Sequence, residues 1–113
     1  MHELPVTEGI LRTVLPAAEK AGAKRITEIY LKVGVLSGVV PACIQDYMDV
    51  IAEGTPAEGA RIIAEDAPVK ILCRRCGEES PVERGAKSCP HCGSEDFKIT
   101  AGWEVTVDRL AAE

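Results

Sequence analysis

The chain has 113 residues, 18 acidic against 13 basic, giving a net charge of −5 at neutral pH. That length allows one compact domain, or a small domain with a metal-stapled module. Lys and Arg are scattered and aromatics make up only 4%, so neither the concentrated basic face nor the stacking platform of a nucleic-acid binder is evident; no apolar run is long enough to span a bilayer.

Taken in chain order, residues 5–21 read as a helix, because Ile10, Leu11, Val14, Leu15 and Ala18 recur at helical spacing. Pro5 suits the first helical position, leaving Met1–Leu4 outside it. Pro16 has no N–H for the carbonyl of Arg12, which predicts a kink, and Gly22 is a natural stop. Residues 25–36 alternate as a strand, with Ile29, Leu31, Val33 and Val35 on one face and Tyr30, Lys32 and Gly34 on the other. Ser37-Gly38 turns the chain into a second helix from Pro41 to about Glu53, expected to bury Ile44, Tyr47, Met48 and Ile51. A strand at about 60–66 follows. Strand–helix–strand order predicts a parallel pair inside a mixed sheet.

Beyond Pro68 the character changes. Val69–Leu72 leads into Cys73, residues 77–88 read as a polar loop with Pro81 and Gly85, and Phe97–Thr100 is short and strand-like. Residues 103–109 alternate again and are expected to return to the first sheet, where Trp103 would find something to pack on. The predicted fold class is therefore α/β (α+β): a small mixed three-stranded sheet with two helices, plus an inserted zinc-ribbon-like module. The expected domains are 1–68 with 102–113, and 69–101.

Within the insertion, Cys73/Cys76 and Cys89/Cys92 form two Cys-x-x-Cys pairs separated by twelve residues. Four thiolates on two short knuckles suit a tetrahedral Zn²⁺ site, or iron in a rubredoxin-like variant. Gly77 and Gly93 follow the second cysteine of each pair, where the backbone must turn under a metal. Two disulfides would need an oxidising compartment, which the lack of an apolar signal segment disfavours. His91, inside the second pair, reads as an exposed knuckle residue, since four thiolates complete the tetrahedron. Cys43 reads as a small apolar residue of the second helix.

A second constellation opens the chain: Met1-His2-Glu3. A bulky His2 is expected to keep the initiator methionine in place. The Met1 amine, the His2 backbone nitrogen and the His2 imidazole then close adjacent chelate rings on one metal. Glu3 adds a fourth donor through its backbone nitrogen or its carboxylate. Nitrogen-rich, nearly planar coordination suits Ni²⁺ or Cu²⁺.

Met-His-Glu-Leu at the start, Leu36-Ser37-Gly38-Val39, Gly54-Thr55 with Glu58-Gly59-Ala60 before a strand, one Cys-x-x-Cys pair and then Cys-Pro-x-Cys-Gly-Ser occur in this order. Together they make the chain resemble the HypA/HybF family along essentially its whole length. The resemblance implies a non-enzymatic nickel metallochaperone of [NiFe]-hydrogenase maturation, with Ni²⁺ as transient cargo on Met1, His2 and Glu3. It further implies a structural zinc on Cys73, Cys76, Cys89 and Cys92, and as partners a HypB-like GTPase and the hydrogenase large-subunit precursor. Pro5, Pro16 and Ala42 depart from the family's expected pattern. A cytoplasmic location is expected, with no nucleic-acid partner and no membrane span. The competing readings are a zinc-ribbon module for nucleic acid or a transcription complex, and a rubredoxin-like electron carrier, for which the module has few aromatics. No Ser/His/Asp set or phosphate-cradling glycine loop is present, so no catalytic activity is expected.

Overall fold

The computed structural model describes residues 3–113. Helix α1 (Glu3–Lys20) buries Thr7, Ile10, Val14 and Ala18, one side chain per turn. It begins earlier than the sequence suggested, so Pro5 lies within the first turn. There its missing N–H costs nothing, because first-turn N–H groups have no helical partner anyway. Pro16 sits on the exposed side of α1, as does Arg12, where water can reach the carbonyl that lacks a donor. The helix ends at Gly22 (φ +72°), with Gly22 and Ala23 donating back to the carbonyls of Glu19 (3.0 Å) and Ala18 (2.9 Å).

Strand β1 (Ile26–Gly34) is the centre of the first sheet. It pairs in parallel with β2 (Arg61–Ala67) and antiparallel with β6 (Val105–Ala112). The parallel pair is joined through α2 (Pro41–Ile51), the predicted crossover. Ile26, Ile29, Leu31 and Val33 turn to the core against Ile10, Val14, Ala18, Ile44 and Met48, so both helices cover one face. The opposite face is polar: Lys32 pairs with Glu65 (2.8 Å) and the Arg109 guanidinium lies over the Tyr30 ring, 4.1 Å from its centroid. Two expectations for α2 need correction. Tyr47 is 41% exposed rather than buried, because Ile44, Met48 and Ala52 already fill the inward line of the helix. Ile51 is half-buried. Gln45 clamps α2 to β2, its Oε1 accepting from Ile62 N–H (2.7 Å) while its Nε2 donates to the Ala60 carbonyl (3.1 Å).

A second sheet has the order β4-β3-β5, with β3 (Val69–Cys73), β4 (Glu79–Val82) and β5 (Phe97–Ala101) all antiparallel. Part of the expected 77–88 loop is thus a strand. Ser80 and Val82 point inward from β4, and Pro81 is tolerated because β4 is an edge strand whose outer N–H side needs no partner. The small core of this sheet is Ile71, Cys73 and Cys89, flanked by Val82 and Phe97. The fold class is as expected: two helices on a mixed three-stranded sheet, with a second small sheet carrying the cysteines.

The two sheets meet at a tight joint. Pro68 alone separates β2 from β3, and Gly102–Glu104 leads back into β6. Leu36 N–H donates to the Gly102 carbonyl (2.7 Å), Gly34 N–H to the Glu104 carbonyl (2.8 Å) and Val35 N–H to the Ala67 carbonyl (3.1 Å). A Cβ at Gly34 would run into the Gly102 backbone. Trp103 belongs to this joint rather than to the strand. It precedes β6, does not share its alternation, and is 50% exposed on the rim of an open groove with Val6, Gly9 and Val105.

Gly34→Ala is expected to destabilise the protein by on the order of 3 kcal/mol, read as a lowered urea midpoint, because neither backbone at the joint can give way. Gly9→Ala, on α1 with open space around its Cβ, is expected to stabilise it by about 0.5–1 kcal/mol.

Candidate metal centre

Both knuckles are built by the same local hydrogen bonds. Cys73 ends β3; its N–H donates to the Glu78 carbonyl (3.0 Å) and its carbonyl accepts from Gly77 N–H (3.0 Å). Cys89 repeats the pattern, donating to Ser94 (2.8 Å) and accepting from Gly93 N–H (2.9 Å). Each loop closes on a glycine at positive φ, +75° at Gly77 and +76° at Gly93, a conformation that side-chain-bearing residues rarely adopt. Arg74 braces the knuckles against each other, with its N–H on the Asp96 carbonyl (3.0 Å) and its guanidinium on the Asp96 carboxylate (3.0 Å) and the Phe97 carbonyl (3.2 Å). That brace was not legible in the sequence: Arg74 and Asp96 are far apart along the chain and belong to no motif.

The result is a cage of four sulfurs, all within 4.8 Å of one another. Cys73 Sγ lies 3.6 Å from Cys92 Sγ, and Cys76 Sγ lies 3.7 Å from Cys89 Sγ. A regular tetrahedron with metal–sulfur bonds of about 2.3 Å has edges of about 3.8 Å, whereas a disulfide requires about 2.05 Å. The spacing therefore fits four ligands around one ion, and all five cysteines are free thiols. The first cysteine of each pair is buried and the second exposed. Among the described residues this is the one grouping of three or more potential metal ligands.

Electrostatics point the same way. The Cys76 N–H (3.4 Å from Cys73 Sγ) and then other donors at the cage stabilise a thiolate at Cys73, pulling it down to about 6. At Cys76 the Glu78 N–H acts in the same sense, but burial and the sulfurs of Cys73, Cys89 and Cys92 outweigh it and push the thiol up to about 12. One negative sulfur opposes the next, and a dication at the centre removes that opposition. His91 is exposed, as expected; what it offers the cage is its backbone N–H, 3.4 Å from Cys89 Sγ. Cys43 is half-buried on α2.

Of the opening constellation, Met1 and His2 lie outside the described residues. Glu3 starts α1, and its carboxylate accepts a hydrogen bond from the Val40 N–H at 3.2 Å. Val40 is the residue before α2 and has no side-chain cap of its own, so the carboxylate of one helix serves the N-terminus of the other. This contact spans 37 residues of sequence and no motif announces it. It holds Glu3 against the N-terminus of α2.

The family model described as hydrogenase/urease nickel incorporation, metallochaperone, HypA matches residues 1–112. A hydrogenase maturation factor HypA from Methanothermobacter thermautotrophicus is 39% identical, covering 100% of this chain and 98% of that protein. The corresponding factor from Aquifex aeolicus is 35% identical, covering 100% and 98%. The solution structure of the Ni metallochaperone HypA from Helicobacter pylori superposes with a TM-score of 0.74 at 21% identity, over 99% of this chain and 97% of that one. At that identity it shows the shared fold. With the family model spanning almost every residue, this chain belongs to the HypA family of nickel-incorporation metallochaperones.

Proposed function

We propose that this chain carries Ni²⁺ on Met1, His2 and Glu3 and delivers it for maturation of a [NiFe]-hydrogenase, while Cys73, Cys76, Cys89 and Cys92 hold a structural Zn²⁺. The match of the family model over residues 1–112 carries this reading, and the Glu3–Val40 contact supports it. With its carboxylate held at the N-terminus of α2, Glu3 has its backbone nitrogen left to join those of Met1 and His2, which precede it in sequence, in a donor set that suits Ni²⁺. A cargo site must let its ion go, and a chain terminus exchanges faster than a thiolate cage. The chain acts in the cytoplasm, and its partners are a HypB-like GTPase and the hydrogenase large-subunit precursor, with no catalytic step of its own. Residues 1–68 with 102–113 form the nickel-binding domain and 69–101 the zinc-binding one, a division supported by the pairing of β6 with β1.

Zinc bound by the four thiolates supplies cohesion rather than reactivity. Two of the three buried residues of the second sheet's core, Cys73 and Cys89, are themselves ligands, so without a metal the module keeps little to fold around. Cys73→Ala or Cys92→Ala is expected to lose the zinc and melt residues 70–100 while α1, α2 and β1 persist, as read by metal analysis and amide exchange. Full zinc stoichiometry in either variant would refute the ligand set. Zinc uptake at pH 7 should release protons, since Cys76, with its thiol up at about 12, must give one up. Affinity should fall further as the pH drops through about 6, where Cys73 also binds a proton. Calorimetry in buffers of different ionisation enthalpy measures both.

For nickel, His2→Ala, acetylation of the Met1 amine, and a short N-terminal tag should each abolish tight binding with zinc unchanged. The tag result discriminates, because it leaves every side chain in place. Nickel affinity should decline as pH falls from about 8 to 6, because the amine and the imidazole, ordinarily at about 7.7–8.0 and 6.5, must be deprotonated to bind. Equal affinity in tagged and untagged protein would overturn the terminal site.

A further inference from the structure

The outward side of α2 carries an apolar stripe that folding does not explain. Val40, Cys43, Tyr47 and Val50 recur at intervals of three and four along one line of the helix. Val40 is 49% exposed, Tyr47 41% and Val50 67%. Leu4, at the start of α1 next to Glu3 in sequence, is a further exposed apolar residue at 38%. The adjoining face of α2 already fills the core through Ile44 and Met48. Scattered exposed apolar residues are ordinary; a continuous line of them on a helix with a full core face marks an interaction surface.

Charge defines what fits it. Asp46, Asp49 and Glu53 follow one flank of the stripe, all exposed, and α2 contains no basic residue. Among the described residues none of the three forms an ion pair; Asp49 accepts only from the Gln45 amide, at 2.8 Å. A second copy of this chain is a poor occupant, because two such faces would set carboxylates against carboxylates. A helix carrying apolar residues at matching spacing, with Lys or Arg along one edge, satisfies both the stripe and its rim. The 11 residues of α2 span about 16 Å, the length of three turns of such a helix.

We propose that this face of α2 docks a basic amphipathic segment of a protein partner, its apolar residues laid over Val40, Tyr47 and Val50 and its cations facing Asp46, Asp49 and Glu53. The inference deepens the carrier reading, on which its functional sense rests: Glu3, one of the proposed nickel ligands, accepts from the Val40 N–H, so a partner seated here lies beside it.

The test is fluorescence anisotropy of a labelled leucine–lysine amphipathic peptide of about 18 residues, titrated with the full-length zinc-loaded protein. Binding should be saturable and weaken with salt. It should fall at least about tenfold in Tyr47→Ser/Val50→Ser and in Asp46→Asn/Asp49→Asn, all exposed positions whose circular dichroism should match wild type. A peptide with glutamate in place of lysine should not bind. Unchanged affinity in the Tyr47/Val50 variant, equal binding of the glutamate peptide, or a dimer of the wild type that Val50→Ser dissolves would each overturn the proposal. Nickel titration of the same variants keeps the two readings apart: loss of peptide binding with nickel binding retained supports the docking face. Peptide binding in a protein that takes up no nickel leaves the face standing and removes only the carrier role.

Discussion

Four sulfurs drawn within 4.8 Å of one another are the constraint on which the second sheet depends, and with it the chain's return to the first. The chain leaves its first sheet after Ala67 and does not rejoin it until Val105. Closing that excursion favours the pairing of β6 with β1, because it shortens the loop that the pairing must otherwise close. The second sheet has too few apolar residues to close it alone, and the inner cysteines are part of its core. Closing the cage therefore does more than order a module. It returns Val105, Val107 and Leu110 to the packing around Ile29 and Leu31, and so completes the layer on which both helices rest.

The joint between the sheets transmits this closure. Gly34, Val35 and Leu36 donate to carbonyls on both strands of the crossing, at Ala67, Gly102 and Glu104. Three backbone hydrogen bonds around two glycines leave little room for the sheets to swing freely. At the same end of the first sheet, where the start of α1 meets Val39, Trp103 and Val105, the Glu3 carboxylate joins α1 to α2. Glu3 is thus anchored to the helix that also carries the exposed stripe and the acidic rim.

Much of this was legible in the sequence because short-range rules dominate it. Ile10, Val14 and Ala18 announce α1, the alternation from Ile29 to Val33 announces β1, and strand–helix–strand order announces the parallel pair. The cysteine spacing with its trailing glycines pointed to the cage. What escaped was set by long-range geometry. Glu79–Val82 has weak strand character and pairs only because β3 lies beside it. Tyr47 fits the inward pattern of a helix yet faces outward, since Ile44, Met48 and Ala52 leave it no space. Trp103 sits two residues before the strand that would have buried it. The tethers of Glu3 to Val40 and of Arg74 to Asp96 join residues that no local pattern connects. For the opening Met1-His2-Glu3, the structure places only the last residue, and the rest is carried by family membership.

The alternation of buried and exposed cysteines gives the cage a direction. Cys73 and Cys89 lie under the second sheet, while Cys76 and Cys92 face solvent. Chelators, competing thiols and oxidants would reach the outer pair first, and an ion held by the proposed zinc ligands would shed Cys76 and Cys92 before the inner two. An ion held here would therefore leave vectorially: the cage would open like a clasp from outside, with two sulfurs still holding the sheet together when the first two have let go.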